Sequence, residues 1–424
     1  MNEYDFQLHL VLSTIARGAH RLEEIARECG GLYPLELRVL LDDLVKQGQV
    51  RLSKKGYHLT LFNKVGAGFA QSGILSDHLP ILPEPHPHDC DWRFDPATSQ
   101  YLARIILQES SPSGVVLLLG APSVFIEMAC SRNVPHTILL DWSSELTDYM
   151  IRFFLPDTFR LVNHDLLSGS LWQSHWPVDV VLCDPPWYPE HYAAFLTQAA
   201  YTARVGAAVI VSLLPLNTRP DAVADRWQIF ENAQQLGLHL QTIEPGAIRY
   251  QTPIFESASL HATDFDLKSD WRSSDIAIFR KTSEPSRDVV EKLLAATATT
   301  DKQEWAEVLL GRYKIKLRGP FNDYLESPTL ISIEKGDILP TVSRRYPGRK
   351  LIDLWLWDNR VFAAKGKAAF LAALYTLAGR PRSHLSSSIS DANHNRALDI
   401  LSQVIGPSDY PMKMSDAKSA MIAH

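Results

Sequence analysis

Four short apolar runs, Val115–Leu119, Thr137–Leu140, Val178–Cys183 and Ala207–Leu214, constrain the fold of this chain most tightly. Each is nearly continuous rather than alternating, as expected of a strand buried on both faces of a parallel sheet. Arg160–Val162 fits between the second and third, and helical stretches separate the runs at Ser123–Cys130, Ser144–Phe154 and His191–Arg204. Strand-helix alternation of this kind predicts a doubly wound α/β sheet over residues 96–281. His239–Ile243 and Ile276–Arg280 read as its last two strands, joined by a long polar excursion.

The flanks have other patterns. Within 1–64, Phe6, Leu8, Leu10, Leu12 and Ile15 fall near helical spacing, a second helix runs Leu22–Cys29, and Pro34 opens a third. Its stripe is Leu37, Leu40, Leu41 and Leu44, and Gln49–Ser53 and Tyr57–Leu61 then flank a Lys-Lys-Gly turn. Three helices and a two-stranded wing predict a winged helix-turn-helix. The third helix carries Glu36, Asp42 and Asp43 against Arg38 and Lys46, so only Arg51, Lys54 and Lys55 on the wing suit phosphate contact. A dimerisation or partner-docking role is the favoured reading, with a homodimer through the winged helix as the expectation.

Residues 65–95 read as a linker rich in Pro, His and Asp. Its His86, His88 and Cys90 have ligand-type side chains, but no second cluster matches them, so no metal site is expected. Residues 282–424 read as a C-terminal α+β domain. A helix is predicted over Arg287–Leu310, then an alternating strand over Arg312–Arg318. A hairpin turn is expected at Asp358-Asn359, followed by helices near Lys367–Ala378 and Asp391–Ile405 and a loose tail. Arg312, Lys314, Lys316 and Arg318 share one strand face by the two-residue period. With Arg344, Arg345, Arg349 and Lys350 they form a basic set beside Tyr313 and Tyr346. Its two readings are a phosphate-tracking or partner-binding surface, and a solvated edge strand that discourages aggregation.

Composition excludes several classes. With 46% apolar and 21% charged residues the chain is neither disordered nor fibrous, and a net charge of −6 provides no overall polycation. Val115–Ile126 and Val205–Leu216 are too short to span a bilayer. Four scattered cysteines make no disulfide framework. The expectation is a cytoplasmic protein with no membrane contact.

In an open α/β sheet, ligands bind outside the carboxyl ends of the strands. The first run ends at Gly120, then Ala121, where close backbone approach and a helix N-terminus favour a ligand. The second ends at Asp141, placed to accept from ribose hydroxyls, and Arg160–Val162 is followed by Asp165. Val178–Cys183 ends in Asp184-Pro185-Pro186-Trp187-Tyr188. Two prolines stiffen that turn. Asp184 and the Pro185 carbonyl can accept both hydrogens of a planar amino group, and Trp187 can stack on its ring.

This order of Gly loop, acid, acid and Asp-Pro-Pro-aromatic resembles the class I S-adenosylmethionine-dependent methyltransferases, especially those acting on exocyclic amino groups of nucleobases. The resemblance implies a Rossmann-like domain. It also implies a cofactor held by Gly120, Ala121, Asp141 and Asp165, and an amine positioned by Asp184 to Tyr188. A winged helix, a linker, Asp95-Pro96-Ala97-Thr98, a Gly loop and Asp-Pro-Pro also look like the branched-chain polyamine synthases. Those are aminopropyltransferases that use decarboxylated S-adenosylmethionine. Their glycine is followed by aspartates, where this chain has Ala121-Pro122-Ser123. Three readings stand open: transfer to an amino nitrogen of a planar acceptor, polyamine aminopropylation, and a silent scaffold that binds partners or nucleic acid.

Overall fold

The computed structural model describes residues 3–59, 82–89, 91–131, 134–151, 158–263, 270–297, 304–344, 346–380 and 388–405. They fall into two compact units. The first contains the described residues of 1–81, 92–252 and 265–299, and the second those of 82–91, 253–264 and 300–424.

The first unit begins with helices α1 (Glu3–Ala16), α2 (Leu22–Glu28) and α3 (Pro34–Lys46) and the strands β1 (Val50–Ser53) and β2 (Gly56–Leu59). Pro34 starts α3 at the first turn, where its missing N–H is not needed. Leu37, Leu40, Leu41 and Leu44 then bury against Val11, Ile15 and Ile25. β1 and β2 pair antiparallel, from Val50 opposite Leu59 to Ser53 opposite Gly56. Helix, helix, helix, hairpin is the order the sequence suggests.

The chain continues through α4 (Pro96–Glu109), β3 (Val115–Leu119), α5 (Pro122–Ala129), β4 (His136–Asp141), α6 (Ser144–Ile151) and β5 (Phe159–Asn163). Next come β6 (Val178–Cys183), α7 (Pro189–Thr202), β7 (Ala203–Leu213), α8 (Ala222–Gln235), β8 (Leu238–Arg249), α9 (Ile254–Ala262), β9 (Ser273–Lys281) and α10 (Arg287–Thr297). The sheet order is β5-β4-β3-β6-β7-β9-β8, and β9 runs antiparallel to both its neighbours. Strand order therefore reverses between β3 and β6, which opens a crevice at the carboxyl edge. All five residues of β3 are buried. A fully buried aliphatic side chain stabilises by roughly 1.5–3 kcal/mol, so the apolar runs fix the sheet and the strand ends inherit their positions.

The second unit holds α9 and the strands β10 (Trp305–Leu310), β11 (Tyr313–Arg318), β12 (Thr329–Ser332), β13 (Leu354–Leu356) and β14 (Val361–Lys365). They form an antiparallel sheet of order β10-β11-β13-β14-β12, with α11 (Lys367–Leu377) and α12 (Asp391–Ile405) following. The hairpin between β13 and β14 turns at Asp358-Asn359, where Asn359 takes φ +67°. Its side chain accepts from Trp355 Nε1 at 2.9 Å and donates to the Leu339 carbonyl at 3.1 Å.

Three sequence expectations need correction here. The helix expected over Arg287–Leu310 is described only as far as Thr297, and Trp305–Leu310 is instead a strand paired with β11. β11 is not an edge strand, since β10 and β13 flank it. Nor is it solvated or free for phosphate: Lys314 Nζ lies 2.6 Å from Asp89, and Lys316 Nζ binds Asp89 and, at 2.5 Å, Glu307. Arg312 pairs with Glu84, and Arg318 with Asp353 at 2.9 Å. The segment read as a polar linker thus supplies Glu84 and Asp89, two of the carboxylates that neutralise this face. Arg345 and Cys90 lie outside the described residues.

His86 uses both ring nitrogens internally, donating to the Trp355 carbonyl at 3.0 Å and accepting from the His88 amide at 3.2 Å. Among the described residues, no three His, Cys, Asp or Glu side chains converge to hold a metal, and no helix is long and apolar enough to cross a membrane.

Candidate active site at the strand ends

The sheet register lines up the residues that the sequence singles out. Gly120 follows β3 and donates its amide to the Leu140 carbonyl at 3.0 Å. Asp184 follows β6 and donates to the Leu119 carbonyl at 3.0 Å. Asp141 ends β4 opposite Asn163 of β5. The carboxyl edge therefore presents, side by side, the ends of β5, β4, β3 and β6.

Gly120 takes φ +64°, and a Cβ built there would lie 3.3 Å from both the Asp184 carbonyl and the Phe195 ring. A side chain would be strained and crowded at this point. Ala121 is buried, and its carbonyl accepts the Phe125 amide at 3.1 Å as α5 begins. Only the backbone of Ala121 can serve a ligand. Ser123 in the first turn of α5 is 1% exposed, and its hydroxyl makes no protein hydrogen bond. The Asp141 carboxylate accepts the Ser143 amide at 2.9 Å. Asp165 caps a single 3-10 turn by accepting the Leu167 amide at 2.9 Å, so a local structural task accounts for part of its bonding.

The Asp184–Tyr188 segment is held from several sides. Ser212 Oγ donates to Asp184 Oδ1 at 2.6 Å, and Tyr250 Oη donates to the same oxygen at 2.8 Å. Tyr250 is 2% exposed, and burial together with the Asp184 charge pushes its phenol well above the usual tyrosine range. It remains a donor throughout the physiological range. The Pro186 carbonyl accepts the Tyr188 amide at 2.6 Å, and the Trp187 carbonyl accepts from Arg219. Both of these carbonyls are therefore engaged inside the protein.

Aromatic rings and guanidinium groups complete the surroundings. The Arg272 guanidinium carbon lies 5.0 Å from the Trp187 ring centre, 4.6 Å from that of Trp92 and 4.7 Å from that of Trp271. Tyr250 meets Trp187 edge-on with centroids 5.8 Å apart, and packs on Phe94 at 5.0 Å. The segment around Phe94 is tied down in turn. Phe94 bridges Tyr250, the Asp95 amide donates to Arg249 at 3.0 Å, and the Asp95 side chain caps α4 at Thr98.

Tyr250 and Arg272 lie in the stretch that the sequence presents only as a long polar excursion between the last two strands. Ser212, Trp92 and Arg219 go unmarked. The available signal for Ser212 is a polar residue interrupting the apolar run Ala207–Leu214.

Comparison with known proteins adds to this geometry. The profile of a family described as probable N6-adenine methyltransferase matches residues 91–245, less than half of the chain. No curated protein matches. Among solved structures, the chain is similar to the branched-chain polyamine synthase of Thermus thermophilus, determined with N4-aminopropylspermidine and 5'-methylthioadenosine. A C9 mutein of that synthase aligns with TM-score 0.51 and 16% identity over 68% of this chain and 92% of the other. A second structure of the synthase aligns with TM-score 0.51 and 15% identity over 66% and 88%. The likeness establishes the fold: a Rossmann-like, methyltransferase-type sheet.

Proposed function

We propose that this chain transfers a group from S-adenosylmethionine, or its decarboxylated form, to the amino nitrogen of a planar acceptor such as a nucleobase. The observation that carries the reading is the Asp184 carboxylate. It stands at the sheet's switch point beside Gly120, is oriented by Ser212 and Tyr250, and is followed by a tryptophan under an arginine. The match to an N6-adenine methyltransferase profile over the same strands supports it.

The chain's residues fit the donor. Gly120 offers close backbone approach, the orphaned Ser123 hydroxyl lies one turn away, and Asp141 stands at the next strand end to hold ribose hydroxyls. Bound there, S-adenosylmethionine would supply a methyl carbon open to in-line displacement. Asp184 and the Pro185 carbonyl would accept the two amine hydrogens and aim the nitrogen lone pair, while Trp187 stacks on the acceptor ring. The amine loses its proton after attack, so positioning and desolvation suffice without a strong base.

Polyamine aminopropylation is the second reading, favoured by the alignment that spans two thirds of this chain. Charge argues against it. Arg219 and Arg272 flank the motif, and a polycation would meet them rather than a run of carboxylates. The deciding experiment offers the full chain labelled S-adenosylmethionine with an adenine-containing oligonucleotide, and decarboxylated S-adenosylmethionine with spermidine. Methylation of the oligonucleotide is the expected result. Aminopropylation alone would replace the proposal with the second reading, and no transfer or cofactor binding at all would leave the scaffold.

A further inference from the structure

Two loops deliver arginines to the Asp184–Tyr188 segment. The loop after β7 carries Arg219, which donates to the Trp187 carbonyl, pairs with Asp225 at 2.6 Å and lies 5.7 Å from the Tyr188 ring centre. The loop before β9 carries Arg272, which lies over Trp187, and its carbonyl accepts the Tyr250 amide at 3.0 Å. Both loops meet the same corner of the three-helix unit, the Gly30-Gly31 pair between α2 and α3. A Cβ on Gly31 would lie 2.9 Å from Pro215 and Thr218, and one on Gly30 would lie 2.6 Å from Ser273 Oγ. Gly31 also takes φ +94°, so a larger residue is excluded by backbone and neighbours alike. Next to Arg272, the Trp271 side chain is 1% exposed and belongs to the three-helix core, 6.1 Å from Tyr33 in an edge-on pair.

A tethered module with a separate task would need none of this. We infer that the three-helix unit is a working wall of the acceptor site. By gripping both loops at Gly30-Gly31 and Trp271, it holds Arg219 and Arg272 as positioning residues that fix the planes of Trp187 and Tyr188. The inference rests on the proposed function only in naming that segment as the acceptor's. Cation–π attraction falls away once the guanidinium leaves the ring face. Release of the loops therefore frees the segment even when the sheet stays intact.

Hydrogen–deuterium exchange on the full chain, read by peptide mass spectrometry, tests this without needing turnover. In Arg272→Ala the peptide covering 183–192 should exchange about tenfold faster, while peptides from β3 and β4 stay at the wild-type rate. Arg272→Lys, which keeps a cation over the rings, should recover most of the lost protection. Arg272→Met, which fills similar space without the charge, should not recover it. Gly31→Leu should loosen 183–192 from a distance. If that variant does not fold, the Arg272 variants decide alone. Wild-type exchange of 183–192 in Arg272→Ala, or loosening confined to residues 1–59 in a folded Gly31→Leu, overturns the inference. Because exchange is measured without acceptor or cofactor, its outcome is separate from that of the transfer assay.

Discussion

Each unit keeps cations close to tryptophans, and the two put them to opposite uses. In the first, Arg272 lies over Trp92, Trp187 and Trp271, next to the Asp184–Tyr188 segment. In the second, Lys314 and Lys316 lie buried in β11, with Trp305 and Trp355 packed around the neighbouring His88, and meet Asp89 and Glu307. Burial weighs against the Asp89 charge, yet Lys314 and Lys316 outweigh it and hold the carboxyl well below the usual range. The alternation of a strand tells which residues share a face. It does not tell which distant segment will cover that face, and carboxylates arriving from 84–89 turn a basic stripe into a core.

The largest effect that could break this contrast is on stability. Replacing Lys316 by Met removes one charge from a buried network and leaves Asp89 and Glu307 undercompensated, a loss of about 3–5 kcal/mol for such pairs. Replacing Lys314, Lys316, Asp89 and Glu307 together by apolar residues of similar volume should recover much of that. Denaturant unfolding with β11 exchange as local readout measures both. A cost below about 1 kcal/mol, typical of solvated pairs, would mean that these lysines are effectively at the surface, and the phosphate-tracking reading would return.

On the other side of the comparison, Asp184→Asn keeps volume and still accepts from Ser212 and Tyr250 through its amide oxygen. It turns a donor toward the incoming amine. Transfer should fall roughly 10²–10³-fold, in line with losing one preorganised transition-state contact, with S-adenosylmethionine binding unchanged by calorimetry. Undiminished transfer would remove Asp184 from the mechanism.

A smaller, graded effect is expected from acid. Burial first, and then Lys316, depress the His88 pKa, and burial also holds His86 well below the usual imidazole range. The unfolded chain therefore takes up protons near pH 6.5 that the folded histidines refuse, so their contribution is present above that pH and lost as pH falls. Asp89 adds a second loss below about pH 4, where its unfolded carboxyl protonates first. β11 should lose exchange protection in these two stages, and protection that is flat from pH 7 to 5 would argue against buried neutral histidines.

Legibility in the sequence divides along the same line. Gly120, Asp141 and Asp184 could be singled out because each ends an apolar run, and open α/β sheets bind ligands outside the carboxyl ends of their strands. The hairpin at Asp358-Asn359 was visible from its turn chemistry. Trp305–Leu310 was not, since a short apolar run serves a helix or a strand equally well until β11 pairs with it. Arg219 and Trp92 gave no sign because their role depends on segments separated by many residues meeting at one point. The charges of 84–89 looked like linker composition for the same reason.

Tyr250 sharpens the comparison most finely, because its contribution is one hydrogen bond rather than a charge. Tyr250→Phe retains the ring that packs on Phe94 and meets Trp187, and deletes only the hydroxyl that donates to Asp184. Ser212 still donates to the same oxygen, so the carboxylate keeps one tether and loses a second. A hydrogen bond to a charged carboxylate contributes about 1.5–3 kcal/mol, and with Ser212 still holding the same oxygen the lower end is expected, a fall in kcat of about tenfold. KM for the donor should not move, since Gly120 and Asp141 are untouched. Ser212→Ala should cost a similar amount. Two donors on one oxygen act as a unit, so the double variant should lose more than the product of the singles. Strict multiplicativity would mean that the two hydroxyls orient Asp184 independently, and an unchanged kcat in Tyr250→Phe would mean that packing alone positions the carboxylate.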